Sequence, residues 1–299
     1  MSHVPVLLKE VIGAIAPEPG EFMMDGTLGS GGHAKALLDK LGSRGTLLAV
    51  DWDEKNLERF RKENENTRGN LVLVHGNYAN LSDILEKHRL PKADGLLLDL
   101  GFSNEQLEHS GRGFSFNPPA GEETLDMRYD AGNDEMPTAA NIVNSFPEKE
   151  LADIIYEYGE EKFSRRIAKA IAESRKRGRI TTSRELANVI TKAVPRNYEH
   201  GRIHPATRTF QALRIYVNDE LGNLKTILGK LTELVDRDGR IAIISFHSLE
   251  DRLVKISFQN LVKNKKASFI NKKPVTAGRE EKKNNPRSRS AKLRAVRIL

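Results

Sequence analysis

A chain of 299 residues, 38% apolar and 30% charged, is long enough for one large domain or two ordinary ones with real cores. It contains no cysteine, which excludes disulfides, thiolate metal sites and a cysteine nucleophile. The net charge of +7 is uneven: Lys263–Leu299 carries +11 and the remainder −4, so basicity is concentrated in one segment that suits a polyanion such as RNA or forms a solvated, partly disordered tail. No apolar run is long enough to cross a bilayer, and the opening residues lack a basic n-region and a small-residue cleavage site. A cytoplasmic protein without membrane contact is expected.

In chain order, "EFMMDG" is a short strand-like run, and "HAKALLDKLG" has helical spacing with a glycine stop at Gly42. "GTLLAVDWD" is a second buried run ending on carboxylates, followed by the charged amphipathic helix "EKNLERFRKENENT". "NLVLVHGNY" and "DGLLLDLGFS" are the third and fourth runs, with the helix "NLSDILEKHRL" between them. Strands alternating with helices at this spacing predict a parallel sheet with helices on both faces. From about Glu105 to Gly201 the strand rhythm stops. A long irregular connection precedes "PEKELADIIYEYGEEKFSRRIAKAIAESRKRG", which reads as one or two helices, and "TTSRELANVITKAVP", which opens with a Thr182–Glu185 capping box. This is a helical insertion. The α/β pattern resumes with two helices in "PATRTFQALRIYVNDELGNLKTILGKLTELV", a "DRDG" turn, the strand "RIAIISF" and a last strand "LRAVRIL".

In open parallel sheets, ligands bind at the carboxyl ends of the strands. Asp25–His33, Asp51–Asp53, His75–Tyr78 and Asp99–Gln106 fall there. Gly29–Ala34 matches G-x-G-x-x-A, and Asp51 follows at about the distance at which an acid binds ribose hydroxyls. This pattern admits NAD or another adenosine-containing cofactor. Asp25, directly before the loop, would repel a pyrophosphate and attract an ammonium or sulfonium, as in S-adenosylmethionine (SAM). The competing reading is that Asp25 caps a turn. Asp99 at the end of the fourth run favours the cofactor, because it makes three strand-end carboxylates around one cleft.

The segments "HVPVLLKEV", "DGTLGSGGHA", "DLGFSNEQLE", "RGFSF", "LDMR", "PATRTFQALRIYVNDEL" and "SFHSLEDR" occur here in order from His3 nearly to the C-terminus. Together they resemble the RsmH (MraW) family, bacterial SAM-dependent methyltransferases acting on the N4 amine of a decoding-centre cytosine in 16S rRNA. The resemblance implies an α/β fold: a Rossmann-like class I SAM-dependent methyltransferase with an inserted all-helical domain. The methyltransferase domain would comprise 1–106 and 205–299, the latter with the basic C-terminal tail, around an insertion at 107–204. By position, the family's SAM contacts fall on Gly31, Gly32, His33, Asp51, Tyr78, Asp99 and Gln106; Asp25 and Gly29 complete the expected cofactor set. Tyr78 would stack on or flank the adenine. The chain departs from the family pattern at "NPPAGEETLDMR", which is longer than usual and lacks a Gly-Pro. Asn117-Pro118-Pro119 mimics the core of DNA amino-methyltransferases, but "DLGFSN" occupies the place that motif would need after the fourth strand.

A cytosine amine is a poor nucleophile, so a group accepting an N4–H bond would favour attack. Asp99 and His247 are the catalytic candidates, although Asp99 could serve the cofactor alone, and Ser248, Glu250, Asp251 and Arg252 could cap the following helix or pair with one another. Arg165, Arg166, Lys169, Arg175, Lys176, Arg177 and Arg179 on the insertion, with Arg202, Arg208 and Arg214 near its exit and the basic tail, are candidates for gripping 16S rRNA within the small ribosomal subunit. A homodimer is compatible with the sequence. Two rivals remain: an NAD-dependent oxidoreductase, and a non-catalytic RNA-binding ribosome-assembly factor.

Overall fold

The computed structural model describes residues 4–65, 69–101, 110–116, 122–132, 135–201 and 203–299. The chain divides into two compact units, one of residues 1–102 with 221–299 and one of residues 103–220. No helix among the described residues is long and apolar enough to cross a membrane.

The first unit is built on a seven-stranded sheet of order β3-β2-β1-β4-β5-β7-β6. Its strands are β1 (Phe22–Asp25), β2 (Thr46–Asp51), β3 (Asn70–His75), β4 (Ala93–Asp99), β5 (Val235–Ser245), β6 (Ala267–Phe269) and β7 (Lys292–Ile298). β1 to β5 are parallel, and β7 and β6 are antiparallel additions at one edge. Strand order reverses at β1 and β4, which places a crevice beyond their carboxyl ends.

Alternation at period two explains why these runs are apolar throughout. Met24, Leu48, Leu96, Leu98, Ile241 and Ile243 face one side, while Met23, Leu47, Leu97, Ala242 and Ile244 face the other. Each side is covered. The first packs under α4 (Leu81–His88), α10 (Glu220–Leu234) and α11 (Ser248–Lys263). The second packs under α1 (Leu8–Ile15), α2 (Gly32–Leu41) and α3 (Glu54–Glu63). The "DRDG" segment, expected as a turn, is carried inside β5 as an irregularity: the register against β4 shifts between Ala93 and Gly95, and Asp238 takes φ 65°.

The basic C-terminal segment is not a disordered tail. It supplies β6, the short helix α12 (Arg279–Asn284) and β7, whose Leu293, Ala295, Val296 and Ile298 are buried. Several of its charges are used internally: Arg294 Nε and Lys292 Nζ bond Asp251 at 2.7 and 3.0 Å, and Glu281 accepts the Leu7 N–H at 2.8 Å.

The second unit is helical, with α5 (Ala139–Ser145), α6 (Glu148–Gly159), α7 (Ser164–Arg175), α8 (Ser183–Ala193) and α9 (Thr207–Val217). The expected capping box is present, with Thr182 Oγ1 accepting from Glu185 N–H and the Glu185 carboxylate accepting from Thr182 N–H. The unit ends at Glu220, later than the expected exit at 204, because α9 packs on α6. A Cβ at Gly159 would stand 2.6 Å from the Arg208 carbonyl oxygen, so only glycine allows this approach. "LDMR" and "VNDE" are tied together here. Asn218 Oδ1 accepts from Tyr129 N–H at 2.7 Å, its Nδ2 donates to Met127 O at 2.8 Å, and Glu220 takes a bidentate pair from Arg214 at 2.7 and 3.0 Å.

Candidate cofactor cleft and basic face

The loop between β1 and α2 is held in the crevice by backbone bonds, Gly26 N–H to Leu97 O and Leu28 N–H to Val50 O. Its glycines answer to space and conformation. Gly31 has φ 80°, and a Cβ there would lie 2.3 Å from the Phe60 ring. Gly29 has φ 51°, and its N–H donates to Asp51 Oδ2 at 2.6 Å. Gly32 starts α2 against Pro5.

Asp25 ends β1 and is 1% exposed. Its Oδ1 accepts the Thr27 N–H at 3.0 Å, which is the turn-capping role, while its Oδ2 is buried without a partner among the described residues. The Asp25 carboxyl thus caps the turn with one oxygen and keeps the other for something else. Burial pushes its pKa up to about 6, against the Thr27 hydrogen bond and the His33 charge, which lower it. His33, in the first turn of α2, sets Nε2 3.5 Å from Asp99 Oδ2. Burial pulls the imidazole pKa down, but Asp99 and Asp25 outweigh it and hold it above the ordinary value. Asp99 Oδ1 is also buried and without a partner among the described residues.

Asp51 ends β2 with its carboxylate already engaged: Gly29 N–H on Oδ2, and Asp53 N–H and Asn56 Nδ2 on Oδ1 at 2.8 and 3.2 Å. Burial nevertheless raises its pKa, with those donors opposing. Tyr78 is buried in the apolar cluster with Leu81 and Leu98, directly beneath Gly26. It supports the floor of the loop. Gln106 and Asn117–Pro119 lie outside the described residues.

His247 follows the end of β5 and caps α11. Its Nε2 lies 3.2 Å from Glu250 Oε1, and Glu250 Oε2 accepts from the N–H groups of Phe246 and His247 at 2.8 and 3.3 Å. Glu250 is 3% exposed. Asp251 instead pairs with β7, as described above. The structure therefore brings Asp25, His33 and Asp99 into one cluster, joins Gly29 to Asp51, and gives His247 a separate partner.

Three contributors were missed in the sequence. Thr27 accepts from Asp99 N–H at 2.6 Å through its hydroxyl while its N–H serves Asp25, so it links the two strand ends. Asn56 and Arg59 brace the loop from α3, the latter donating to Gly29 O at 3.1 Å. The available signal was their place in the helix after the second acid, and it does not distinguish them from surface residues.

On the helical unit, Arg165, Arg166, Lys169, Lys176, Arg177 and Arg179 are exposed on and just after α7, opposite the buried Ile167, Ala168 and Ile171. Three other expected RNA contacts are committed elsewhere: Arg214 to Glu220, Arg175 to Val143 O at 2.9 Å, and Arg208 to Glu160 O at 3.2 Å. Arg202 lies outside the described residues.

Chemically, the cleft presents two buried carboxylate oxygens without partners among the described residues, and an imidazole 3.5 Å from one of those two carboxylates. A phosphate there would meet like charge; a cationic group would supply the missing donors. The whole chain, residues 1–299, matches the sequence profile of the MraW methylase family. It is 45% identical over 293 residues to ribosomal RNA small subunit methyltransferase H of Deinococcus radiodurans, covering 98% of this chain and 88% of that protein. It is 46% identical over 303 residues to the protein of the same name from Koribacter versatilis, covering 99% and 93%. The Clostridium botulinum protein of that name is 42% identical over 312 residues, covering 99% of each chain.

Proposed function

The chain belongs to the MraW methylase family, and from that premise we propose that it is a SAM-dependent methyltransferase of small-subunit rRNA, modifying the N4 amine of a decoding-centre cytosine. One observation carries the cofactor assignment: Asp25 Oδ2 and Asp99 Oδ1 are buried beside the glycine loop and lack partners among the described residues. An ammonium would satisfy them, whereas the pyrophosphate of NAD would add negative charge. The oxidoreductase alternative therefore loses its support.

Bound SAM supplies a methyl group on a sulfonium, already activated for in-line displacement. The residues have to place it and manage the acceptor. Asp25, His33 and Asp99 would hold the amino-acid end, with Gly29, Gly31 and Gly32 letting the backbone approach closely. Asp51 would hold the ribose hydroxyls, sharing Oδ2 with the Gly29 N–H, and Tyr78 would support the adenine from the loop floor. The name of the relatives supports rRNA of the small subunit as the acceptor. Asp99 and His247 are the candidates to accept a proton from the amine. Glu250 Oε1, 3.2 Å from His247 Nε2, would orient that imidazole.

The exposed basic face of α7 would supply phosphate contacts, which give affinity but no base choice. The test is methyl transfer from labelled SAM to unmethylated small subunits, followed by mass mapping of nucleosides. N4-methylcytidine at one position is expected. Transfer to a different atom would overturn the amine assignment, and SAM binding without any transfer would favour the assembly-factor reading.

A further inference from the structure

Within the helical unit, "RGFSF", singled out in the sequence, meets the residue that precedes "PATRTFQALRIYVNDEL". Phe116 of that segment stacks on His204, with ring centroids 4.5 Å apart and planes inclined by 28°. Phe210, buried in α9, meets the Phe116 ring edge-on at 4.8 Å. His204 is therefore backed by two aromatic layers anchored in the helix.

Its ring is fixed in a second way. The Ala206 N–H donates to His204 Nδ1 at 3.2 Å, and the His204 carbonyl accepts from Thr207 N–H at 3.0 Å, closing a tight turn at the start of α9. Burial of one face lowers the imidazole pKa, so the ring is neutral near pH 7. With Nδ1 accepting, the proton sits on Nε2, which has no hydrogen-bond partner among the described residues. His204 is nevertheless solvent-exposed. A histidine kept for packing would be buried, and one kept for hydrogen bonding would use both nitrogens. This one presents a flat, uncharged, prealigned ring with a free donor on its edge.

We infer that the His204–Phe116 pair is a stacking platform for an unpaired nucleobase of the substrate RNA, with His204 Nε2–H donating to an acceptor on that base. The inference rests on the reading that this chain acts on RNA, and it names a base-contacting site in the helical unit. Every base has a π-face, so the stack supplies affinity, and the single edge donor restricts which base edge fits. Ring order is already established in the free protein, so little freedom is lost on binding.

The test compares wild type with His204→Ala and His204→Phe. Methylation of unmethylated small subunits gives kcat and KM, calorimetry gives SAM affinity, and fluorescence of short single-stranded RNA carrying 2-aminopurine reports stacking directly. His204→Ala is expected to raise the KM for subunits and the Kd for RNA about tenfold, leaving kcat and SAM affinity unchanged. His204→Phe keeps the ring and should restore most of the loss. Unchanged binding in His204→Ala would overturn the inference, as would a Phe variant as weak as the Ala variant. A KM effect on subunits without any effect on RNA binding would assign the pair to a ribosomal protein instead, and would also overturn it. If wild type binds RNA with this order of variants but methylates no subunit, the methyltransferase reading falls while the platform stands.

Discussion

His33 Nε2 lies 3.5 Å from Asp99 Oδ2, so the first turn of α2 carries an imidazole against the carboxylate that ends β4. A helix N-terminus disfavours a cation, yet Asp99 and Asp25 hold this imidazole above its usual pKa. A cationic ligand entering the cluster would take over the attraction of both carboxylates. Its arrival should expel protons.

Cofactor affinity should therefore rise with pH. Between pH 5.5 and 7.5, SAM binding is expected to strengthen by up to about tenfold per pH unit for each proton released, as Asp25 ionises with its pKa of about 6 and His33 gives up its proton. Calorimetry in buffers of different ionisation enthalpy counts those protons. A pH-independent affinity would refute the linkage.

Asp25 should reduce the stability of the free protein. Its folded pKa of about 6 exceeds the ordinary aspartate value of 3.8, so the native state binds more protons than the unfolded one between those limits. Stability then falls as pH rises through that window and stays low above it. Asp25→Asn should stabilise the free protein at pH 7.5 by about 3 kcal/mol while weakening SAM binding at least tenfold. Urea unfolding at pH 5 and 7.5 is the check, and a variant no more stable than wild type at the higher pH would count against it.

Gly31→Ala meets two obstacles, a positive φ and the Phe60 ring. A loss of about 2 kcal/mol is expected, together with weaker SAM binding. Adding Phe60→Leu should recover the steric share only. Full recovery would show that the backbone conformation imposes no cost.

Glu250→Gln keeps an oxygen for the two backbone donors but removes the charge beside His247. We expect kcat to fall about tenfold with its pH profile shifted, and the KM for SAM unchanged. An unaltered pH profile would reduce Glu250 to a helix cap.

Reversing Arg165, Arg166 and Lys169 to Glu should weaken RNA binding and flatten its salt dependence by about two to three units of slope. Truncation before Lys272, by contrast, removes β7 from beside β5 and should abolish folding. Circular dichroism of the truncated chain separates the two effects; a folded product would show that β7 is dispensable.

Much of the fold was legible because it rests on local periodicity. Fully apolar runs at the spacing of Leu47–Val50 and Leu96–Leu98 require cover on both faces, and that implies parallel strands with helices on each side. Thr182 and Glu185 announced a helix start through a contact three residues long. Arg214 was misread because an arginine on an amphipathic helix reads as solvated until its partner is known. Its partner, Glu220, is the first residue of α10, the helix after its own. The C-terminal segment was legible in part: the expected strand "LRAVRIL" is β7, whereas the disordered-tail alternative fails because Leu293, Ala295, Val296 and Ile298 are buried once β7 pairs with β5 and β6.

Acting alone, the residue order determined which groups stand at the strand ends and where glycine is needed. Strand termini, turn conformations and caps depend on neighbours within a few positions. Only the tertiary structure decided how those groups use one another: Asp25 with one oxygen on Thr27 and the other without a partner among the described residues, His33 turned to Asp99, and Phe116 under His204. These relationships join segments distant in the chain. They exist because burial removes water as the alternative partner, so each polar group must find what the fold places beside it.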